Sequence, residues 1–243
     1  LTSILITHWH GDHVLGLPGL LQTMFMQGYA KKLNIYGPKG TAHYFSLLKS
    51  LYNIQLPINI IEIENSRVLE TSDFYMEAKS MHHTAKTNAY SFKIKDKIRL
   101  DKKKLAKYKI PNSPLLKKLQ QGKDILHKNK KIKSSQVSYL EKGKKITFIL
   151  DTAYNKNAVE IAKNSDLLIS ECTFSEKEQV LAKERKHLTS KDAALIAKKA
   201  KVKDLILTHI SQRYEPSLKE IEKEAKKHFK NSSVAHDLQV LQV

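Results

Sequence analysis

An α/β fold is predicted for this 243-residue chain by three observations. Short apolar runs rich in β-branched residues alternate with segments of helical period along most of its length. Hydrophobic residues make up 41% of the chain, enough to fill a sizeable core at this length. The alternation is interrupted once, by a strongly basic segment, and no internal repeat is visible. One α/β domain carrying a basic arm is the economical description.

The elements follow in order. Residues 2–7 read as a buried strand through Ile4, Leu5 and Ile6. The chain opens inside this run without Met, and a preceding piece is expected. Leu17 to Gln27 reads as a helix opened by Pro18, whose fixed φ suits a first turn. A strand at 33–36 and a helix near 40–51 come next, then strand-like runs at 58–63, 73–80 and 89–95. Segment 96–142 holds Pro111, Pro114 and Gly122 with little periodicity, and reads as a protruding insertion. The alternation then resumes with a strand at 145–150, a helix at 156–163, a strand at 166–170 and a helix at 190–200. A strand at 204–208, a helix at 217–229 and a last strand near 233–241 complete it. Thr189 or Ser190 offers a capping hydroxyl to the helix at 190–200, and Pro216-Ser217 starts the final helix.

Charge is unevenly spread. Lys and Arg number 43 against 24 Asp and Glu, a net +19. Residues 93–145 hold 18 Lys and Arg99 against Asp96, Asp101, Asp124 and Glu141, a net +15. The other 190 residues hold 24 basic and 20 acidic side chains, only +4. A near-neutral body beside a basic segment is the footprint of a phosphate-binding protein. Nucleic acid is the first partner to expect and an anionic membrane surface the second. The segment lacks the sustained apolar stripe of an interfacial helix, which favours nucleic acid. No run approaches the ~18 apolar residues of a spanning helix, so no membrane partner is expected. The opening shows no charged stretch followed by an apolar one, so no secretory signal is expected. The single Cys172 excludes an intrachain disulfide framework and a Cys-rich zinc module. It points to a reducing compartment, read as cytoplasmic.

The chemistry concentrates in His8-Trp9-His10-Gly11-Asp12-His13, directly after the first strand. His8, His10 and Asp12 repeat with a period of two, so the stretch is a loop. A tight turn can direct His8 and His10 to one ion, and Asp12 and His13 to a second. Imidazole with carboxylate and no thiolate is the ligand set of a catalytic zinc site that leaves positions for water. Any one of these histidines alone would read as filler; four ligands within six residues do not.

His-x-His-x-Asp-His after an apolar strand resembles the signature of the metallo-β-lactamase superfamily. The resemblance implies a four-layer αβ/βα sandwich with a two-metal site on loops at one edge. It asks for a lone His, a bridging Asp and a final His, each after a strand. His83 follows the run ending in Met81, Asp151 ends Ile146 to Leu150, and His209 ends Leu205 to Thr208. By resemblance, His8, His10 and His83 hold the first of two Zn²⁺ ions per subunit. Asp12, His13 and His209 hold the second, and Asp151 bridges. His82 competes with His83; the resemblance places a Tyr seven residues after the ligand, and Tyr90 stands there for His83. His43, His127, His228 and His236 match no motif and read as structural.

Further segments resemble the ribonuclease Z family, tRNA 3′-processing endonucleases, along essentially the whole chain. Leu168-Ile169-Ser170-Glu171-Cys172-Thr173-Phe174 is similar to the surroundings of its His-Glu-Ala-Thr motif. Lys186-His187-Leu188-Thr189-Ser190 is similar to its His-Ser-Thr motif, and Thr208-His209-Ile210-Ser211-Gln212-Arg213-Tyr214 to its Thr-His-Phe-Ser-x-Arg-Tyr. Ala235-His236-Asp237-Leu238 resembles the usual ending. Lys109-Ile110-Pro111-Asn112-Ser113-Pro114-Leu115-Leu116 resembles the start of the tRNA-binding exosite arm, which falls in the basic segment. Departures are Ser113 for the Gly of a Gly-Pro, Ser170 for a His, Cys172 for an Ala and Leu188 for a small residue. About fifty residues of N-terminal strands are absent, so exposed apolar strand surface and a tendency to aggregate are expected.

The resemblance implies a zinc-dependent endoribonuclease that removes the 3′ trailer of precursor tRNA. A metal hydroxide would attack the phosphodiester and leave a 3′-hydroxyl on the tRNA. Asp12 would accept the proton of the water. His187 would donate one to the leaving 3′ oxygen, with Glu171 orienting its imidazole. Lys102, Lys103, Lys104, Lys117, Lys118 and Lys123 are the candidate RNA contacts of the arm, and a homodimer is implied. Two alternatives stand beside this reading. One is another hydrolase of the superfamily acting on a small ester or phosphodiester; the other is a catalytically silent RNA-binding relic.

Overall fold

The structure is a computed structural model that describes all 243 residues. The chain divides into two compact units, residues 1–93 with 145–243, and residues 94–144. The larger unit begins with β1 (Ser3–Leu5), α1 (Gly11–Val14), α2 (Leu17–Met26), β2 (Leu33–Gly37), α3 (Thr41–Tyr52) and β3 (Ile58–Glu62). The three strands form a parallel sheet in the order β1-β2-β3. Leu17, Leu21 and Met24 recur at helical spacing on the buried face of α2 and join Leu33, Ile35 and Phe45 in one core cluster. Glu62 at the end of β3 accepts the N–H groups of Gly40 and Ala42, satisfying donors at the start of α3. Gly40 adopts φ +101°, a conformation that needs glycine.

A second sheet starts with β4 (Ser66–Glu70), β5 (Phe74–Met81) and β6 (Thr87–Ile94). The sequence gives no signal for β4. A bulge between Arg67 and Leu69 breaks the period of two in this edge strand, so its apolar residues do not alternate.

Residues 94–144 contain β7 (Lys97–Leu100), α4 (Lys102–Lys107), α5 (Leu115–Gln120), β8 (Ile125–His127), β9 (Lys130–Ile132), α6 (Ser134–Val137) and β10 (Ser138–Glu141). None of these elements is foreseen by periodicity. Each spans three to six residues, too short for a hydrophobic period to register. Strands β7 and β10 pair antiparallel, as do β8 and β9. Ile110, Leu119, Ile125, Ile132 and Val137 build a core inside the unit.

The larger unit resumes with β11 (Lys145–Ile149), α7 (Lys156–Ala162), β12 (Leu167–Glu171), α8 (Gln179–Arg185), α9 (Ser190–Ala200), β13 (Asp204–Thr208), α10 (Leu218–His228) and β14 (Ser232–Val234). The second sheet is seven-stranded, in the order β14-β13-β12-β11-β6-β5-β4. Strands β11 to β14 run parallel and β6 joins β11 antiparallel. Helices α7, α9 and α10 pack beside it around Ala193, Ala194, Ala197 and Ala200, whose small side chains allow close approach. A capping box between Thr189 and Asp192 opens α9. The final strand stops at Val234 rather than running to 241, because β13 offers β14 only the ladder Leu205 to Leu207. The buried Tyr90 hydroxyl donates to the Ile6 carbonyl at 2.7 Å and ties the two sheets together. Helices, sheet, sheet and helices thus make the four layers.

Candidate metal centre

The strand ends assemble the site. His8 and His10 follow β1, while Asp12 and His13 stand in the helical turn α1 rather than on the expected loop; His83 follows β5, Asp151 follows β11, Glu171 ends β12 and His209 follows β13. Backbone bonds lock these ends together. Asn88 N–H donates to the Thr7 carbonyl at 2.9 Å, and Ala153 N–H to the His82 carbonyl at 2.8 Å. The parallel ladder β11-β12-β13 brings Asp151, Glu171 and His209 to the same sheet edge. Asp151 and His209 both take positive φ, +43° and +53°, at non-glycine positions. Such conformations concentrate where a side chain must be aimed.

Three groups that could hold a metal result. His8, His10, His83 and Asp151 form the first and Asp12, His13, Asp151 and His209 the second, with Asp151 in both; Glu171, His187 and His209 form a third. In the first, His8 Nε2 lies 3.1 Å and His83 Nε2 3.3 Å from His10 Nδ1. His8 Nε2 is also 3.4 Å from Asp151 Oδ2. In the second, His13 Nε2 is 3.3 Å from both Asp12 Oδ2 and Asp151 Oδ2. His83 is buried whereas His82 is exposed, so the chain turns only His83 into the cluster.

The donor set fits divalent metal. The hydrogen-bond partners assign the tautomers. His83 Nδ1 donates to the Lys186 carbonyl at 3.0 Å, leaving the Nε2 lone pair facing the cluster. Thr173 Oγ1 gives its own proton to Glu171 Oε2 at 2.7 Å, so it accepts from His209 Nδ1 at 3.0 Å. The His209 Nε2 lone pair then faces Asp151 Oδ1 at 3.4 Å and Asp12 Oδ2 at 3.6 Å. Acceptors turned on acceptors are stable only around a cation or an added proton. Asp151 Oδ1 is itself buried and receives no hydrogen bond. Burial alone would raise the Asp151 pKa, but His13 and His8 overcome it and hold the carboxyl well below its usual range. Burial lowers His10 and His83, keeping both imidazoles neutral as ligands must be.

Glu171 and His187 meet beside the second group. Fully buried Glu171 accepts the Thr152 N–H at 2.5 Å, the Thr173 hydroxyl and the Leu188 N–H at 3.2 Å. Both of its oxygens lie 3.1 Å from His187 Nδ1. Nδ1–H therefore points at the carboxylate, and Nε2 makes no hydrogen bond within the protein. Burial works against protonation of His187, but the Glu171 hydrogen bond and charge outweigh it and raise the pKa above the usual histidine value. The ring stacks on His209, with centroids 5.7 Å apart.

Two participants, Thr173 and Lys186, stand inside motifs quoted from the sequence, but nothing in the sequence gives their roles. Thr173 Oγ1 contacts Glu171, His187 and His209 at once, at 2.7, 3.2 and 3.0 Å. The Lys186 carbonyl that fixes His83 is presented by a left-handed residue, φ +56°, closing α8. Both roles arise from segments distant in sequence. The remaining marked residues stand elsewhere. Lys102, Lys103 and Lys104 lie on α4, Lys117 and Lys118 on α5, and Lys123 just after it, all exposed. His127 contacts the Lys109 carbonyl and His228 pairs with Glu176; neither joins a ligand group.

No family model matches the chain. Among curated proteins it is similar to ribonuclease Z of Nanoarchaeum equitans, 38% identical over 220 residues, covering 90% of this chain and 69% of the relative. Ribonuclease Z of Bacillus velezensis is 38% identical over 243 residues, covering 97% and 79%. Among solved structures, the metallo-β-lactamase fold protein YhfI from Bacillus subtilis superposes with TM-score 0.66 at 19% identity, covering 97% of this chain and 74% of that one. Human tRNase Z, short form, superposes with TM-score 0.64 at 23% identity, covering 99% and 78%. The structures establish the fold, and the identity and coverage of the sequence relatives establish the family. The chain belongs to the ribonuclease Z family, on the metallo-β-lactamase fold.

Proposed function

We propose that the chain is a zinc-dependent endoribonuclease that removes the 3′ trailer of precursor tRNA and leaves a 3′-hydroxyl. The observation that carries this reading is Asp151 standing between two histidine groups, with the Glu171–His187 pair alongside. His8, His10 and His83 would hold one ion, Asp12, His13 and His209 the other, and Asp151 would serve both. Bound there, two zinc ions supply positive charge for the phosphoryl oxygens and acidity for a water nucleophile.

The side chains supply the rest. Asp12 is 66% exposed on its side chain and faces the second group, and neighbouring His13 helps keep it ionised against partial burial. It is the acceptor for the water proton. His187 carries its Nδ1 proton toward Glu171 and presents Nε2 outward, where a second proton can pass to the departing ribose 3′ oxygen. The raised His187 pKa suits that donation near neutral pH. Glu171 is a positioning residue: it fixes the ring and stabilises its protonated form.

We take residues 94–144 as the tRNA-gripping arm. Their carboxylates are already paired: Asp96 with Lys142, Asp101 with Lys104, Asp124 with Lys131 and Glu141 with Arg99. Lys102, Lys103, Lys117, Lys118 and Lys123 therefore remain for phosphates, whose contacts position the RNA without reading its sequence. A homodimer fits the exposed Phe25, Met26, Leu51 and Tyr52 at adjoining ends of α2 and α3. Sedimentation equilibrium tests it, and a concentration-independent monomer would refute it. No helix is long and apolar enough to cross a membrane. The buried, unpaired Cys172 supports a cytoplasmic setting. The enzymatic reading is tested by zinc content and trailer removal together. A zinc-loaded, folded chain that leaves precursor tRNA intact but hydrolyses a small phosphodiester would favour the small-substrate hydrolase.

A further inference from the structure

Glu224 lies on α10 and is 6% exposed. Its Oε1 accepts the Ser175 hydroxyl at 2.7 Å; its Oε2 accepts the Ser190 hydroxyl at 2.6 Å and the Glu176 N–H at 2.9 Å. All three donors are neutral. Lys227 and His228, about one turn further along the same helix, pair with Glu176. A buried carboxylate without a cation is costly, so its three donors must compensate.

Those donors belong to the two segments that carry the Glu171–His187 pair. Ser175 and Glu176 follow Glu171 and Thr173 out of β12; Ser190 follows His187 into α9. The segments run side by side. Phe174 N–H donates to the Leu188 carbonyl at 3.2 Å, and Ser190 N–H to the Phe174 carbonyl at 2.9 Å. Glu224 clamps both segments from α10.

We propose that Glu224 is a positioning residue for proton donation, holding the His187 segment in register with the Glu171–Thr173 segment. This rests on His187 acting as the proton donor. Proton donation demands hydrogen-bond geometry, so a small slip between the segments lowers turnover without touching the metal ligands.

The test uses the metal-loaded protein and two substrates. A 3′-extended precursor tRNA has a ribose leaving oxygen that needs a proton; bis(p-nitrophenyl) phosphate releases a nitrophenolate that needs none. Glu224→Gln, Ser190→Ala and His187→Ala are compared, with zinc content and thermal midpoint recorded. Glu224→Gln and Ser190→Ala are expected to lower kcat on precursor tRNA about tenfold more than on the nitrophenyl ester, with KM and zinc content kept. In the His187→Ala background they add no further loss. Equal losses on both substrates, or a full added loss in that background, would make Glu224 merely structural and overturn the proposal. A large His187→Ala effect with unaltered Glu224→Gln and Ser190→Ala rates would overturn it while leaving His187 in place. A His187→Ala loss of only a few-fold with zinc retained would remove both.

Discussion

The metal centre and the basic unit of residues 94–144 solve opposite problems with opposite means. At the centre several rings are held from behind by fixed partners, which aims their free nitrogens. His83 is tied to the Lys186 carbonyl, His209 to Thr173, and His187 to Glu171. In the basic unit Lys102, Lys103, Lys117 and Lys118 stand exposed on short helices, while the carboxylates of the unit pair with other residues. Bond making needs atoms held in place, whereas gripping a phosphate backbone needs charge that can follow it. Changes at the centre should therefore be steep and local, and changes in the basic unit graded and salt-dependent.

The steepest break comes at the residue common to both ligand groups. Asp151→Ala is expected to empty the centre and lower precursor cleavage by about 10³-fold or more. Zinc analysis alongside the rate checks this, and full zinc content in the variant would end its shared-ligand assignment. Next in size is His187→Ala, with a loss of about 10²- to 10⁴-fold at unchanged zinc content. Thr173→Val follows. It removes a hydroxyl that orients both a ligand histidine and His187, so a loss of about 10- to 100-fold in activity or metal affinity is expected. A variant with wild-type zinc affinity and wild-type rate would show that Thr173 only fills space. The smallest effect per residue belongs to the basic unit. Replacing Lys102, Lys103, Lys117 and Lys118 with Gln should raise KM for precursor tRNA and flatten its salt dependence by about one unit of slope per lost contact. An unchanged slope would mean these side chains do not meet phosphate.

The same contrast explains what could be read in the sequence. The candidate ligands between His8 and His13 are legible because four donor side chains crowd into six residues after an apolar strand, whereas His83, Asp151 and His209 are marked only by the family resemblance. The left-handed backbones of Asp151 and His209 are not foreseeable at non-glycine residues. The role of Thr173 is not legible in the sequence, because its partners Glu171, His187 and His209 are brought together only by the fold. Glu224 carries no signal for the same reason, being one acid among several on a charged helix. The strands and helices of the larger unit were legible where the apolar period lasted five residues or more. Strand β4 was hidden by its bulge, and the short elements of residues 94–144 by their brevity. There the sequence showed charge, and charge does not specify a fold.

The central claim is that Asp151 and the six ligands around it hold metal in order to cut precursor tRNA. The direct measurement is cleavage of a 3′-extended precursor tRNA with and without a chelator, mapping the product end and following the fold by circular dichroism. The account predicts one cut just after the discriminator base, a 3′-hydroxyl on the tRNA, loss of the cut on chelation and its return with zinc. A cut that survives chelation, or none from folded and zinc-loaded protein, would contradict it.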